Sequence, residues 1–153
     1  MARARYGRQG PVDPFGAFNF KLELGGTIEA GFSECNGLDS ETDVIAYRNG
    51  DDEITVRKIP GLRKFGNITL KRGLTASLTL WKWRMDTMSG KLDRHDISIV
   101  MFDDSGTKEL VRFTLRNAWP SKWVGPTLHA SDNGVAVETL ELVHEGIDDI
   151  ETK

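Results

Sequence analysis

Residues 18–24, FNFKLEL, alternate strictly between apolar and polar side chains, and the glycine pair at 25–26 follows them. A period of two is typical of a strand with one buried face, and two adjacent glycines favour a tight hairpin turn. Residues 27–36 are predicted as the second strand. The folded part of the chain is therefore expected to begin with an antiparallel hairpin.

More strands are predicted downstream, separated by turn signals. They cover residues 41–48, 54–59, 66–72, 97–102, 111–116 and 135–142. Apolar positions in the last strand change phase, which predicts a β-bulge near Glu138–Thr139. Pro60-Gly61 is predicted as a turn, and residues 119–126 as a loop.

The periodicity changes after residue 73. One apolar stripe with spacings of three and four comprises Leu74, Leu78, Trp81, Met85 and Met88. This predicts a helix over about 76–88 that packs its stripe, including Trp81, on the core. Thr75 is the expected N-cap and Gly90 the glycine after the C-cap. Trp83 lies off the stripe, so it forms either a second packing face or an exposed contact.

The fold class predicted from these elements is mainly β. It is a two-sheet antiparallel β-sandwich or barrel with one α-helix (about 76–88) and a long hairpin (about 41–59). We expect a flexible arm over 1–14, one domain over 15–147 and a loose acidic tail over 148–153. The 153 residues carry a net charge of −3, which argues against a dedicated nucleic-acid binder. The single cysteine excludes an intrachain disulfide.

The hairpin over 41–59 has an acidic tip at 51–53 and more backbone edge than one small sandwich pairs by itself. Unpaired edges are a hazard unless something covers them. Two alternatives stay open here. The hairpin folds back on its own domain, or strands of neighbouring subunits extend the sheet around a ring with an open lumen.

Groups for catalysis are sparse. Cys35 with His95 or His129 is the candidate nucleophile pair, but its surroundings favour an inert buried thiol. Asp96 next to His95, and Glu145, are candidate acid–base groups, although neighbours in a strand point to opposite faces. The acidic turn at 103–106 lacks the rest of a calcium loop. No catalytic, cofactor-binding or metal-binding residue is predicted, and no cofactor.

Trp119 and Trp123 flank Pro120. They suit a stacking platform for a ligand, a loop pinned onto the sandwich by its rings, or an anchor between subunits. These interpretations stay open from the residues alone.

Five blocks, in order over about residues 14–147, resemble the tail tube protein family of contractile phages. The blocks are GFSECNGL (31–38), KIPGL with NITLKRG (58–62 and 67–73), LWKWRMDTMSG (80–90), RNAWPSKW (116–123) and VETLELVHEG (137–146). That family includes tube proteins of phage tails, R-type tailocins and extracellular contractile injection systems, and it shares a fold with the type VI secretion tube.

The resemblance implies a non-enzymatic structural subunit. Its hexameric rings would stack into a hollow tube that sheath contraction drives through a target envelope. Implied partners are other copies of the chain, the sheath, baseplate or spike and tube-terminating proteins, and cargo or DNA in the lumen, without stable membrane insertion. Assembly is expected in the bacterial cytoplasm.

The residues expected at contacts between subunits are Tyr47, Asn49, Gly50, Ile54, Val56, Pro60, Gly61, Leu62, Trp119 and Trp123. Three alternatives remain at this point. They are a tube-initiating ring of the same family at the baseplate, a monomeric β-sandwich that binds a ligand through Trp119 and Trp123, and a hydrolase that uses Cys35 with a histidine.

Overall fold

A computed structural model of the chain describes residues 19–51, 54–74, 78–131 and 134–152. Ten strands and one helix lie in these ranges. They are β1 Phe20–Leu24, β2 Thr27–Gly31, β3 Glu34–Asn36, β4 Glu41–Tyr47, β5 Arg57–Lys64, β6 Ile68–Gly73, α1 Thr79–Met88, β7 His95–Phe102, β8 Glu109–Val124, β9 Val137–Val143 and β10 Gly146–Thr152. The expected arm over 1–14 and the expected N-cap Thr75 lie outside the described residues.

The strands pair in antiparallel fashion along one path, in the order β2-β1-β7-β8-β9-β6-β3. β10 pairs with β8 beside this path, and β4 pairs with β5 as a separate two-stranded sheet. The predicted glycine turn between β1 and β2 is confirmed, because Gly25 and Gly26 have φ of 59° and 83°. This is the mainly β architecture that the alternating sequence predicts.

One hydrophobic core joins strands from both ends of the path. Leu22 of β1 and Ile97 of β7 share it with Ile68 of β6 and Leu142 of β9, and all four side chains are fully buried. Each such side chain contributes about 1.5–3 kcal/mol by leaving water. Ile68 and Leu70 of β6 face the core, and β7 is buried on both faces over residues 97–100.

β8 belongs to both halves of the path. It pairs with β7 as far as Ala118 and with β9 from Trp119 onward. Just before this change, where the β7–β8 register shifts, Asn117 has φ of 50°, a left-handed conformation that asparagine tolerates better than most residues. Its backbone N–H donates to Asp96 Oδ1 at 2.9 Å, and its side chain Nδ2 donates to Glu145 Oε2 at 2.8 Å. These bonds hold the bend at which β8 changes partners.

The bulge predicted near Glu138–Thr139 is wrong. β9 pairs with β6 in unbroken register from Val137 to Leu142. The phase change in the sequence has another cause: Glu138 occupies an inward position and is buried. It forms an ion pair there with Arg72, its cross-strand partner on β6. Because the inward residue is charged, the apolar pattern looked shifted by one.

The helix begins at Thr79, and Gly90 lies just after its C-cap with φ of 88°, as predicted. Its packing face was predicted wrongly. The buried residues are Leu80 and Trp83, and the Trp83 Nε1–H donates to the carbonyl of Asp93 at 2.7 Å. The predicted core stripe is instead largely exposed, with Trp81 half-buried.

Four segment predictions need correction. Residues 27–36 form two strands, β2 and β3, which lie at opposite ends of the path. β5 begins at residue 57 and runs through Pro60-Gly61, because a two-stranded ribbon with a free edge tolerates a proline. Residues 119–124 continue β8 instead of forming a loop. The C-terminal residues expected as a loose tail pair with β8 as β10, up to Thr152.

Candidate assembly surfaces

The β4–β5 hairpin presents apolar side chains on both of its faces. In its register Ile45 lies opposite Ile59, and Val44 lies opposite Pro60. Because successive residues of a strand point to opposite sides, these two pairs lie on different faces. Val44, Ile45 and Leu62 are 67%, 52% and 75% exposed. Contiguous exposed apolar surface is a common feature of interaction sites.

The connection between β4 and β5 continues this surface. Near its start, the Tyr47 hydroxyl donates to Asn49 Oδ1, and a turn follows at Gly50. Ile54 is 94% exposed, so it touches almost nothing of its own chain, and Val56 is also exposed. A large aliphatic side chain in that position gains nothing from folding of the monomer.

Gly61 sets the spacing at the base of the hairpin. A Cβ on Gly61 would lie 3.1 Å from the carbonyl oxygen of Asp43 and 3.2 Å from Cγ1 of Ile45. Glycine therefore lets β5 approach β4 closely where the register shifts between Thr42 and Val44. An ion pair of 3.1 Å between Lys64 Nζ and Asp43 Oδ2 lies beside it.

Trp119 and Trp123 lie on β8, apart from the eight predicted contact residues on the hairpin. Both rings are half-buried and pack against the hydrophobic core. The Trp123 ring contacts the ring of Trp81 with centroids 4.7 Å apart, and its Nε1–H donates to Glu138 Oε2 at 3.1 Å. Trp123 thus attaches β8 to the helix and to the buried ion pair, while Trp119 packs on the core.

The candidate acid–base groups have structural partners. Asp96 and Glu145 both bond to Asn117, where they hold the bend in β8. His95 Nε2 lies 2.7 Å from Asp93 Oδ2, and its ring contacts the buried ring of Trp83. The residues that the sequence indicated as acid–base candidates therefore make structural contacts in the fold.

Cys35 lines an apolar cavity of about 270 Å³ together with Phe20, Leu38 and Phe113. Burial raises the pKa of its thiol to about 11, so the thiol is protonated at neutral pH. A protonated thiol is a poor nucleophile.

In the acidic turn, the hydrogen bond from Ser105 and backbone N–H groups lower the pKa of Asp103, which makes this carboxylate an anchor of the turn.

The exposed stripe of α1 was not expected as a surface. Leu78, Met85 and Met88 are 55%, 44% and 55% exposed, and Leu74 just before the helix is 50% exposed. At 100° per residue, the stripe lies about 150° around the helix from the buried pair of Leu80 and Trp83. The helix is therefore apolar on two opposite sides. Its own chain buries one of them, and on the other it partly covers Trp81, through the ring of Trp123.

A family model described as the T4-like virus tail tube protein gp19 matches residues 16–148, which include both the hairpin and the helix. The chain belongs to this tail tube family. The resemblance predicted from the five sequence blocks is thereby confirmed.

No helix in the described ranges is long and apolar enough to cross a bilayer. The comparison with curated proteins gave no significant match.

Solved structures of contractile injection systems share the fold. A chain of the anti-feeding prophage cap (AFP tube terminating cap) is 28% identical, with a TM-score of 0.83 over 99% of this chain and 100% of that one. A chain of the PVC sheath–tube complex, from an extracellular contractile injection system in its extended state, is 27% identical, with a TM-score of 0.81 over 92% and 93%. A chain of the PVC sheath/tube terminator is 26% identical, with a TM-score of 0.82 over 94% and 100%.

Proposed function

We propose that this tail tube protein forms hexameric rings that stack into a hollow tube inside a contractile sheath, and that the β4–β5 hairpin joins the copies. Membership of the tail tube family supports the tube, and the matches to sheath–tube and terminator structures support sheath and terminating proteins as partners. Baseplate proteins, and cargo or DNA in the lumen, complete the proposed machine. Its subunits assemble in the bacterial cytoplasm.

The hairpin carries the proposal. It forms a two-stranded sheet of its own, and an isolated two-stranded hairpin is marginally stable in water. Its eight-residue strand spans about 26 Å, and within the described residues β4 and β5 pair only with each other. An extended ribbon with apolar side chains on both faces is stabilised when neighbouring copies cover those faces.

The hairpin joins its neighbour through its faces more than through its edges. Pro60 in β5 has no N–H, so it interrupts the ladder that edge-to-edge pairing needs. The exposed Ile45 and Leu62 on the two faces supply apolar contact area instead. Face-on packing also lets one ribbon contact two neighbouring subunits at once.

A purely structural role is consistent with the candidate catalytic groups. Cys35 holds its proton at neutral pH, while Asp96 and Glu145 are hydrogen-bonded to the bend in β8. We therefore propose that the protein performs no catalysis and that its residues provide shape and contact surfaces.

Electron microscopy and sedimentation velocity of the purified protein test the proposal. The wild type should give six-fold rings or tubes. Leu62→Asp should remain monomeric with an unchanged circular dichroism spectrum, because a charge on an exposed apolar face opposes contact without disturbing the core. Lys108→Asp, in the exposed turn before β8, is the matched control and should assemble normally. A wild type that stays monomeric at high concentration, without rings even beside its baseplate partners, would refute the proposed function.

A further inference from the structure

We infer that the exposed apolar stripe of α1, formed by Leu78, Trp81, Met85 and Met88, receives the tip of the β4–β5 hairpin from a neighbouring copy. This inference rests on the proposed function and names the surface that the hairpin binds. Spacings of three, four and three produce a seam along one side of a helix. The core-facing side of α1 is already covered, whereas Leu78, Met85 and Met88 on the seam are exposed and can accept a partner.

The hairpin tip has the apolar group that the stripe needs. Ile54 is 94% exposed, so neither its own helix nor any other part of its own chain covers it. Met85 and Met88 are flexible thioether side chains that adapt to an incoming aliphatic group. Contact between Ile54 of one copy and this part of the helix in another removes exposed apolar area from both.

Charge complementarity favours the hairpin tip as the occupant. The tip sequence carries consecutive acidic residues starting at Asp51. Within α1 the basic side chains are Lys82 and Arg84, and the acidic one is Asp86. Lys82 is exposed on the flank of the stripe, where it can meet an acidic tip. Opposite potentials of this kind select the partner and fix its register.

The geometry of the contact also suits a tube. The hairpin tip and the helix stripe are different surfaces of the same chain, so their contact is heterologous. A heterologous contact between two copies leaves one surface of each kind unused, one on each copy, and such contacts therefore propagate into rings or open stacks. A self-complementary contact would stop at a dimer instead.

Cysteine cross-linking in assembled particles tests this contact. In a Cys35→Ala background, the pair Ile54→Cys with Met88→Cys should give a ladder of disulfide-linked oligomers on a non-reducing gel after mild oxidation. The matched control combines Ile54→Cys with Asp86→Cys, which lies in the same helical turn but about 120° from the stripe. The control should give little cross-linking. Tubes that form without a 54–88 cross-link, or that cross-link equally in both pairs, would overturn the inference and leave the proposed function standing.

Charge reversal provides a second measurement, in case the cysteine variants do not assemble. Lys82→Glu should raise the protein concentration needed for tube formation about five-fold, the size of a surface charge contact. Adding Asp51→Lys should restore it. Normal assembly of Lys82→Glu, or no rescue by Asp51→Lys, would contradict the contact. A wild type that forms no rings would refute both the proposed function and this inference.

Discussion

Replacing Glu138 by glutamine should destabilise the protein more than any other single change of charge described above. The Arg72–Glu138 pair is buried, with 3% and 8% of the two side chains exposed. The guanidinium also lies over the ring of Phe32, 5.6 Å from its centroid. Glu138→Gln keeps an oxygen that can accept the Trp123 indole N–H, but it places an amide NH2 group against the Nε–H of Arg72, so the change removes both the negative charge and the acceptor for Arg72.

The expected loss is large because the buried guanidinium stays behind without its carboxylate. Breaking a buried pair by removing one partner costs about 3–5 kcal/mol, whereas removing both charges is often neutral. With a urea m-value of about 2 kcal/mol/M, Glu138→Gln should lower the midpoint by roughly 2 M. The double variant Arg72→Met with Glu138→Gln should recover most of that loss.

Urea unfolding followed by far-UV circular dichroism measures both variants, at protein concentrations where sedimentation shows monomer. Asp43→Asn is the matched control, because the Lys64–Asp43 pair is largely exposed and should change stability by less than about 1 kcal/mol. Two results would refute the reasoning. One is a loss below about 1 kcal/mol for Glu138→Gln, and the other is a double variant no more stable than the single one.

Three other local features give predictions. Gly37→Ala should prevent folding, because at φ of 97° a Cβ would overlap the carbonyl oxygen of Asn67. Gly106→Ala, at φ of 72° in open space, should lower the free energy of unfolding by only about 1–2 kcal/mol. Equal urea midpoints for these two variants would contradict that. Burial raises the pKa of Cys35 from 9.0 to about 11, so iodoacetamide should alkylate the native thiol at pH 8 about 100-fold more slowly than the unfolded one. The stability gained from the neutral thiol is present below pH 9 and is lost as pH rises toward 11; equal alkylation rates would exclude the raised pKa. Asn117→Val should lower the free energy of unfolding by about 2–3 kcal/mol, and Asn117→Gly should lower it clearly less, because glycine accepts φ of 50°. Equal losses of stability in the two variants would mean that the backbone conformation is not the cause.

The strands with one buried face were predictable from the sequence. Ile68 and Leu70 alternate with polar residues, and both are buried as that pattern predicts. The pattern failed at Glu138, because counting apolar residues cannot identify an inward charge whose partner, Arg72, lies 66 residues away. Such a pairing is set by the register of two strands, which is a property of the folded chain.

The helix shows a different limit. Its sequence correctly predicted an apolar stripe but not what covers it. Leu80 and Trp83 were the residues that the sheet buried, while Met85 and Met88 remained exposed. A helix that packs against its own sheet and also against another molecule carries two apolar sides, and periodicity alone does not rank them.

Sequence could identify the candidate contact residues of the hairpin only as a group. The Asn49-Gly50 signal and the unusual length indicated a hairpin, and eight of the ten candidate residues lie on it. Trp119 and Trp123 were grouped with them because tryptophan is common at interfaces. The partners of Trp123, which are Glu138 and the ring of Trp81, come from other elements and were visible only once the fold was known.

The shared strand β8 has a mechanical consequence. Its backbone runs uninterrupted through Asn117 from one half of the fold into the other. A load that pulls the two halves apart therefore acts along covalent bonds at this point, instead of peeling hydrogen bonds one after another. In the proposed tube, this connection would keep the two halves of each protomer together under an end-on load.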